Sequence, residues 1–123
     1  MNGEELVQRA EAASKNAYAP YSNYLVGAVL LLKDGRVYEG VNVENAAYPL
    51  GVCAERTAIS KAASEGVRPG DIDAVGITAS PCGGCRQWLH EWKVERVYFR
   101  REDGSIAEYA PASQLLPDTW NLP

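Results

Sequence analysis

The fold is decided by residues 72–93, which read IDAVGITASPCGGCRQWLHEWK. The first part, residues 72–79, is apolar or small on both faces, which predicts a strand in the middle of a sheet that helices cover. Pro81 ends this strand, because proline cannot donate a hydrogen bond to a sheet. The following residues, 82–93, have helical spacing and predict a helix whose apolar face contains Cys85, Trp88, Leu89 and Trp92.

Further helices and hairpins are predicted before and after this unit in the sequence. We expect a helix over residues 3–17, with Asn2 and Glu5 as its capping pair, and a second helix over residues 52–65 that ends at Gly66. Two hairpins are predicted from strand pairs around Asp-Gly turns: residues 24–32 with 36–42, and residues 94–100 with 105–109. One helical turn is expected at residues 112–116. This order of elements implies a mixed sheet with helices on its faces.

Composition and charge exclude several classes of protein. The chain has 123 residues, which fits a single domain over residues 1–123. Its net charge of -4 disfavours nucleic acid as a partner. The longest apolar run, Val26 to Leu32, is too short to cross a membrane. The N-terminus does not resemble a secretory signal, and three cysteines suit a reducing compartment, so we expect a cytoplasmic protein.

The three cysteines are the candidate metal ligands. Cys53 begins the second predicted helix, and Cys82 and Cys85 begin the third, where unpaired N–H groups stabilise thiolates. Three protein ligands leave the fourth tetrahedral position of zinc open for water, as in a catalytic site. The single histidine, His90, lies about 140° around a regular helix from Cys85, so it cannot bind the same metal.

Glu55 follows Cys53 by two residues, and spacing alone does not show that the two share a site. Cys53 and Glu55 are about 200° apart on a regular helix. They can address one site only if Cys53 is the N-cap and has non-helical geometry.

The cysteine segments resemble a known signature. Cys53-Ala54-Glu55 with Pro81-Cys82-Gly83-Gly84-Cys85 matches the zinc deaminase pattern in its three-cysteine form. Residues 41–48, 52–58 and 80–87 closely resemble the small homotetrameric cytidine deaminases, and the resemblance covers nearly the whole chain. It implies a cytidine deaminase-like α/β fold with three layers, α/β/α, and a five-stranded mixed sheet whose last two strands are antiparallel.

The resemblance also implies a role for particular residues. Cys53, Cys82 and Cys85 would bind one zinc ion per subunit, and Glu55 would move protons. The ribose hydroxyl would be held by Asn42 and Glu44, and the base by Tyr24 and the backbone around Ala54 and Ala46. Neighbouring subunits of a homotetramer would share their sites through Tyr48 and Trp120. The thiolates would accept hydrogen bonds from Arg56 and Gln87.

The implied activity is zinc-dependent hydrolysis of cytidine and 2′-deoxycytidine to uridine and 2′-deoxyuridine, with release of ammonia, in pyrimidine salvage. Three alternatives stay open: deamination of an aminopyrimidine drug, as in the related blasticidin deaminases; editing of a polynucleotide, which the acidic charge disfavours; and a structural zinc module. Asn42 and Glu44 have a second interpretation as loop residues that bond their own backbone. Tyr48 and Trp120 have one as packing residues.

Overall fold

The computed structural model describes residues 1–122; Pro123, the last residue of the predicted domain, lies outside the described residues. The α-helices span Gly3–Ala13 (α1), Ala54–Ser64 (α2) and Gly83–Glu91 (α3). The β-strands span Gly27–Leu32 (β1), Val37–Val41 (β2), Ile72–Ile77 (β3), Arg96–Arg100 (β4) and Ile106–Tyr109 (β5). Short 3₁₀ turns occupy Ser14–Asn16, Tyr48–Leu50 and Ala112–Leu115.

The five strands form one mixed sheet in the order β2-β1-β3-β4-β5. Strand β3 is central, as its two apolar faces predict, and it pairs antiparallel with β1 and parallel with β4. The pairs β1–β2 and β4–β5 are the two predicted antiparallel hairpins. The carboxyl end of β3 leads directly to Cys82 and α3.

Helices cover both faces of the sheet, which confirms the three-layer α/β/α architecture. On one face, Leu6, Val7 and Ala10 of α1 pack against alternate residues of the sheet, including Val29 and Ala74. On the other face, α2 and α3 pack against the second set of alternate residues, in a larger core that contains Leu30, Ile59, Val75, Leu89 and Val97. Within residues 1–122, none of the helices is long and apolar enough to cross a bilayer.

Gly40 lets α2 approach the sheet closely. A methyl group at this position would lie 2.5 Å from the carbonyl oxygen of Ala54, and closer still to the backbone nitrogen of Ala58. Both neighbours are backbone atoms of α2, so they cannot move aside as a flexible side chain would. The absence of a side chain at Gly40 therefore sets the distance between β2 and the helix that begins after Cys53.

Every predicted helix and strand is shorter in the structure, and two of them differ by three or more residues at one end. Helix α1 ends at Ala13 instead of residue 17, where the Ser14 hydroxyl bonds the Glu11 carbonyl at 2.6 Å and the chain continues as a 3₁₀ turn. Strand β1 begins at Gly27 instead of residue 24. The preceding backbone is bonded by Asn42, through its side chain at Tyr24 and Val26 and through one backbone bond from its N–H to the Val26 carbonyl at 3.3 Å.

The C-terminal segment follows its prediction in part. Leu115 is buried in the core formed with α2 and α3, at the end of the expected helical turn. Trp120 is 68% exposed, so the expectation that it packs against this chain is wrong. Its direct neighbours Thr119 and Asn121 are polar, and Leu122, the apolar residue after them, is itself 80% exposed, so this segment does not bury the ring.

Candidate functional site

A cleft of about 360 Å³ lies where the carboxyl end of β3 meets the starts of α2 and α3. Its walls come from five parts of the chain: the segment before β1, the segment after β2, the carboxyl end of β3 with the residues that follow it, and the starts of α2 and α3. The lining residues are Ser22, Tyr24, Val26, Asn42, Glu44, Cys53, Ala54, Glu55, Ile77, Ala79, Ser80, Cys82 and Cys85.

The three cysteines converge in this cleft. Cys53 is the N-cap of α2, with φ -74° and ψ 157°, and Cys82 is the N-cap of α3, with φ -68° and ψ 168°. Cys53 and Cys82 therefore have extended backbone. For Cys53 this is the non-helical geometry that its spacing from Glu55 requires if Cys53 and Glu55 are to face one site. The three Sγ atoms, including that of Cys85, lie within 4.8 Å of one another.

The cysteine cluster fits one zinc ion per subunit. Zinc–sulfur bonds of about 2.3 Å in tetrahedral geometry place sulfur atoms roughly 3.8 Å apart, so only small movements would bring the three thiols into a ligand set. The Cys82 sulfur already accepts a hydrogen bond from the Cys85 N–H at 3.5 Å. Two helix N-termini meet here, and their positive dipole ends favour thiolates.

Burial opposes ionisation of two of the thiols. It raises the pKa of Cys53 above its ordinary value and that of Cys85 well above it. Burial would also raise the pKa of Cys82, but hydrogen bonds from the Cys85 N–H and the neighbouring thiols outweigh it and lower that pKa. A divalent cation reverses the preference of all three groups, because its charge favours deprotonated sulfur.

Glu55 is the buried carboxyl group of the site. It lies in the first turn of α2, lines the cleft, and is only 3% exposed. This burial raises the pKa of Glu55, and the nearby charge of Arg56 offsets the shift only in part. A carboxyl group with a raised pKa can hold and release a proton near neutral pH, as proton-transfer catalysis requires.

Arg56 places a positive charge beside the cysteines. Its guanidinium group contacts the Cα face of Gly84, between Cys82 and Cys85, and its Cζ lies 6.0 Å from the centre of the Trp88 ring. Burial would lower the pKa of Arg56, but the charges of Cys85 and Cys53 outweigh it and raise that pKa. The buried Nε finds no hydrogen-bond partner among residues 1–122.

Asn42 and Glu44 line the cleft and bond the backbone of the segment before β1, not their own backbone. The Asn42 side chain accepts from the Val26 N–H at 2.9 Å and donates to the Tyr24 carbonyl at 2.9 Å. Glu44 accepts from the Tyr21 and Ser22 N–H groups at 3.0 and 3.1 Å, and from the Ser22 hydroxyl. The Ser22 hydroxyl is the main cause that lowers the pKa of Glu44.

The other residues singled out from the sequence lie at different distances from the cleft. Tyr24 and Ala54 line it, and the Tyr24 ring is 60% exposed. Ala46 lies in the loop after Glu44. Tyr48 is 77% exposed and borders a separate hollow. Gln87 lines a hollow on the outer side of α3, next to Trp88 and Trp92.

His90 is remote from the cysteines, as the helical angle predicts. Its Nε2 lies 2.8 Å from the Oδ1 of Asn121. This hydrogen bond joins α3 to the C-terminal segment.

Five lining residues were not predicted from the sequence: Ser22, Val26, Ile77, Ala79 and Ser80. Two of them carry a signal that sequence reasoning could use. Ser22 stands two residues before the predicted strand 24–32, and Ser80 stands two residues before Cys82, so both hydroxyl groups lie at a point where the chain enters the site.

Comparison with known proteins identifies the family. Residues 1–101 match the cytidine and deoxycytidylate deaminase zinc-binding region. The chain is 45% identical to a cytidine deaminase of Halalkalibacterium halodurans, over 98% of this chain and 95% of that protein, and 42% identical to one of Sporosarcina psychrophila, over 98% and 93%. A crystal structure of cytidine deaminase from Burkholderia pseudomallei superposes with a TM-score of 0.89 at 41% identity, over 98% of this chain and 100% of that one.

Proposed function

The chain belongs to the cytidine deaminases and is an enzyme that deaminates cytidine with one zinc ion per subunit, and from this premise we propose which residues perform the reaction and on which substrates. We propose that it hydrolyses both cytidine and 2′-deoxycytidine, in pyrimidine salvage, with Glu55 as the catalytic residue. The observation that supports Glu55 most directly is a buried carboxyl group in the same cleft as three converging thiols.

The proposed reaction converts cytidine and water to uridine and ammonia. Cys53, Cys82 and Cys85 would hold a zinc ion, which when bound would supply water that is acidic enough to react at neutral pH. Glu55 would accept one proton from water as the water oxygen bonds to C4 of cytosine, and would deliver this proton to N3 of the ring. Glu55 would then take the remaining proton of the new C4 hydroxyl group and deliver it to the amine, which leaves as ammonia as the C4 carbonyl forms, so the carboxyl group ends the cycle in its starting state.

We assign substrate orientation to Asn42 and Glu44, whose hydrogen bonds also fix the cleft wall before β1. Asn42 retains one amide hydrogen and one lone pair beyond its two backbone bonds, and Glu44 retains acceptor capacity beyond its three bonds. We assign these remaining groups to the ribose hydroxyl. The Tyr24 ring would stack on the base, and the backbone at Ala54 and Ala46 would bond its polar edge.

Charge balance at the metal is assigned to two side chains. Three thiolates give zinc a formal charge of -1, which opposes the acidification of water. Arg56 offsets this charge, which agrees with its place against Gly84 and with the raised pKa that the cysteines give it. Gln87, in the turn that follows Cys85, would donate to the cysteine pair.

We also propose a cytoplasmic homotetramer with shared active sites. Apolar side chains that are largely exposed concentrate between residues 18 and 52, next to the cleft: Tyr18, Tyr21, Tyr24, Leu25, Val43, Tyr48, Leu50 and Val52. Such a patch favours contact with another protein surface. Tyr48 and Trp120, which are both largely exposed, would complete the site of a neighbouring subunit. Sedimentation as a fully active monomer at micromolar concentration would contradict this assembly.

The decisive experiment follows the loss of cytidine absorbance with purified protein, with protein stripped by a chelator, and with the Glu55→Gln variant. We expect turnover to vanish on stripping and to return with added zinc. Glu55→Gln should keep zinc and lose nearly all turnover, whereas Glu91→Gln, an exposed control on α3, should keep both. Full activity of Glu55→Gln would refute the assigned mechanism. The same assay with 2′-deoxycytidine tests the second substrate.

A further inference from the structure

We propose that Arg86 is a positioning residue for the metal centre: it fixes the backbone at Cys82 and fastens the cysteine segment to the C-terminal turn. This inference rests on the proposed function only in that Cys53, Cys82 and Cys85 bind zinc. It concerns a residue that stands one turn into α3 and whose side chain reaches back toward the start of the helix.

The guanidinium group of Arg86 bonds three acceptors. Its Nε donates to the Pro81 carbonyl at 2.9 Å, its Nη2 to the Ser80 hydroxyl at 3.0 Å, and its Nη1 to the Leu115 carbonyl at 3.0 Å. Two of these acceptors immediately precede Cys82 in the chain, and the third lies at the end of the 3₁₀ turn Ala112–Leu115. A single planar group therefore joins three segments of the chain.

Arg86 holds the peptide groups on both sides of Cys82. Its side chain bonds the carbonyl that precedes Cys82, and its backbone N–H donates at 2.9 Å to the carbonyl of Cys82 itself. These two carbonyls determine φ and ψ of Cys82, which in turn direct its sulfur toward Cys53 and Cys85. The bond to the Cys82 carbonyl is the first bond of the helix, but the peptide group that precedes Cys82 lies outside the helical ladder, so the helix alone does not fix it.

The arginine side chain suits this task better than lysine. Its nitrogen atoms lie in one rigid plane and donate in fixed directions, whereas the lysine ammonium is a single point on a flexible stem. Pro81 is buried, so loss of the bond to its carbonyl leaves a buried acceptor without its arginine donor. The segment would then relax, and Cys82 would sample positions in which its sulfur no longer faces the other two.

Zinc affinity of the full chain, measured without nucleoside by competition against a chromophoric chelator, tests this role. We expect Arg86→Gln to weaken zinc binding about ten- to a hundredfold, which is the usual effect of removing a group that orients a ligand. Arg86→Lys should fall between the wild type and Arg86→Gln. The absorption spectrum of the Co²⁺ form, which reports thiolate geometry, should shift in Arg86→Gln.

Arg68→Gln is the matched control. Arg68 also bonds two carbonyls through its guanidinium group, those of Ala63 and Val67 at 2.9 and 2.8 Å, but in the loop between α2 and β3, outside the cleft. It should lower the melting temperature and leave zinc affinity and the Co²⁺ spectrum unchanged.

The inference is overturned if Arg86→Gln binds zinc as tightly as the wild type. It is also overturned if Arg86→Gln and the control Arg68→Gln weaken zinc binding equally. If Arg86→Gln does not fold, Arg86→Lys is judged by the same criteria. A wild-type chain that binds zinc but does not deaminate cytidine would refute the proposed function and leave this test decisive.

Discussion

Substitution of Gly40 by alanine should displace α2 and lower turnover, although Gly40 does not line the cleft. The added methyl group would lie 2.5 Å from the Ala54 carbonyl oxygen, whereas ordinary contact begins at 3.4 Å, so α2 and β2 must separate by about 1 Å. Helix α2 begins at the N-cap Cys53 and carries Glu55 in its first turn. We expect a loss of about 1–3 kcal/mol in unfolding free energy. A displacement of this size at a catalytic group costs about a hundredfold in turnover.

The measurement combines urea unfolding with steady-state deamination of cytidine at saturating zinc. Gly51→Ala is the matched control, because a methyl group there meets its nearest neighbour at 3.4 Å and φ is -65°, a value that any residue adopts. It stands two residues before Cys53 and should be tolerated. If Gly40→Ala matches Gly51→Ala in both stability and turnover, the close approach of β2 does not set the position of α2 and the argument is wrong.

Two further substitutions test the charges of the site. Arg56→Gln should keep zinc but lower turnover about ten- to a hundredfold with little change in KM, because the thiolate charge is no longer offset; metal analysis and steady-state kinetics check this, and an unchanged kcat would contradict it. Glu44→Gln tests pH dependence. Since hydrogen bonds from Ser22 and Tyr21 lower the pKa of folded Glu44, its carboxylate stabilises the fold above about pH 4.3, the ordinary glutamate value, and this stability is lost as the pH falls through the lower, folded pKa. The difference in unfolding free energy between wild type and Glu44→Gln should therefore be constant near neutral pH and shrink in acid; a difference that grows in acid would show that the sign is wrong.

Much of the fold follows from local patterns in the sequence. The Asp-Gly turns predict both hairpins, and a strand that is apolar on both faces can only be central, as β3 is. The angle between Cys53 and Glu55 even predicts that Cys53 is a cap with extended backbone, because no regular helix directs both residues to one site.

The remaining features depend on contacts between distant residues, which no local pattern contains. The Asn42 side chain bonds the backbone of Tyr24 and Val26, and only one backbone bond, from the Asn42 N–H to the Val26 carbonyl, extends the pairing, so β1 begins later than its apolar residues suggest. Both interpretations of Asn42 and Glu44 were open from the sequence; the one in which they bond their own backbone is wrong, because both side chains line the cleft and bond the backbone of residues 21–26. The three bonds of Arg86 join residues up to 29 positions apart, and helical spacing does not reveal them.

The cysteine cluster also has a consequence for the folded chain as a whole. Zinc bound by the three cysteines would join the N-cap of α2 to the start of α3. It would act as a crosslink that closes the chain between Cys53 and Cys82. In the chain-entropy description of crosslinks, a closed loop of about 30 residues is worth roughly 3–4 kcal/mol, comparable to one disulfide bond. The loop contains α2 and β3, the central strand of the sheet. The metal that performs the chemistry therefore also restricts the unfolded chain, in a protein whose cysteines are all committed to that one centre.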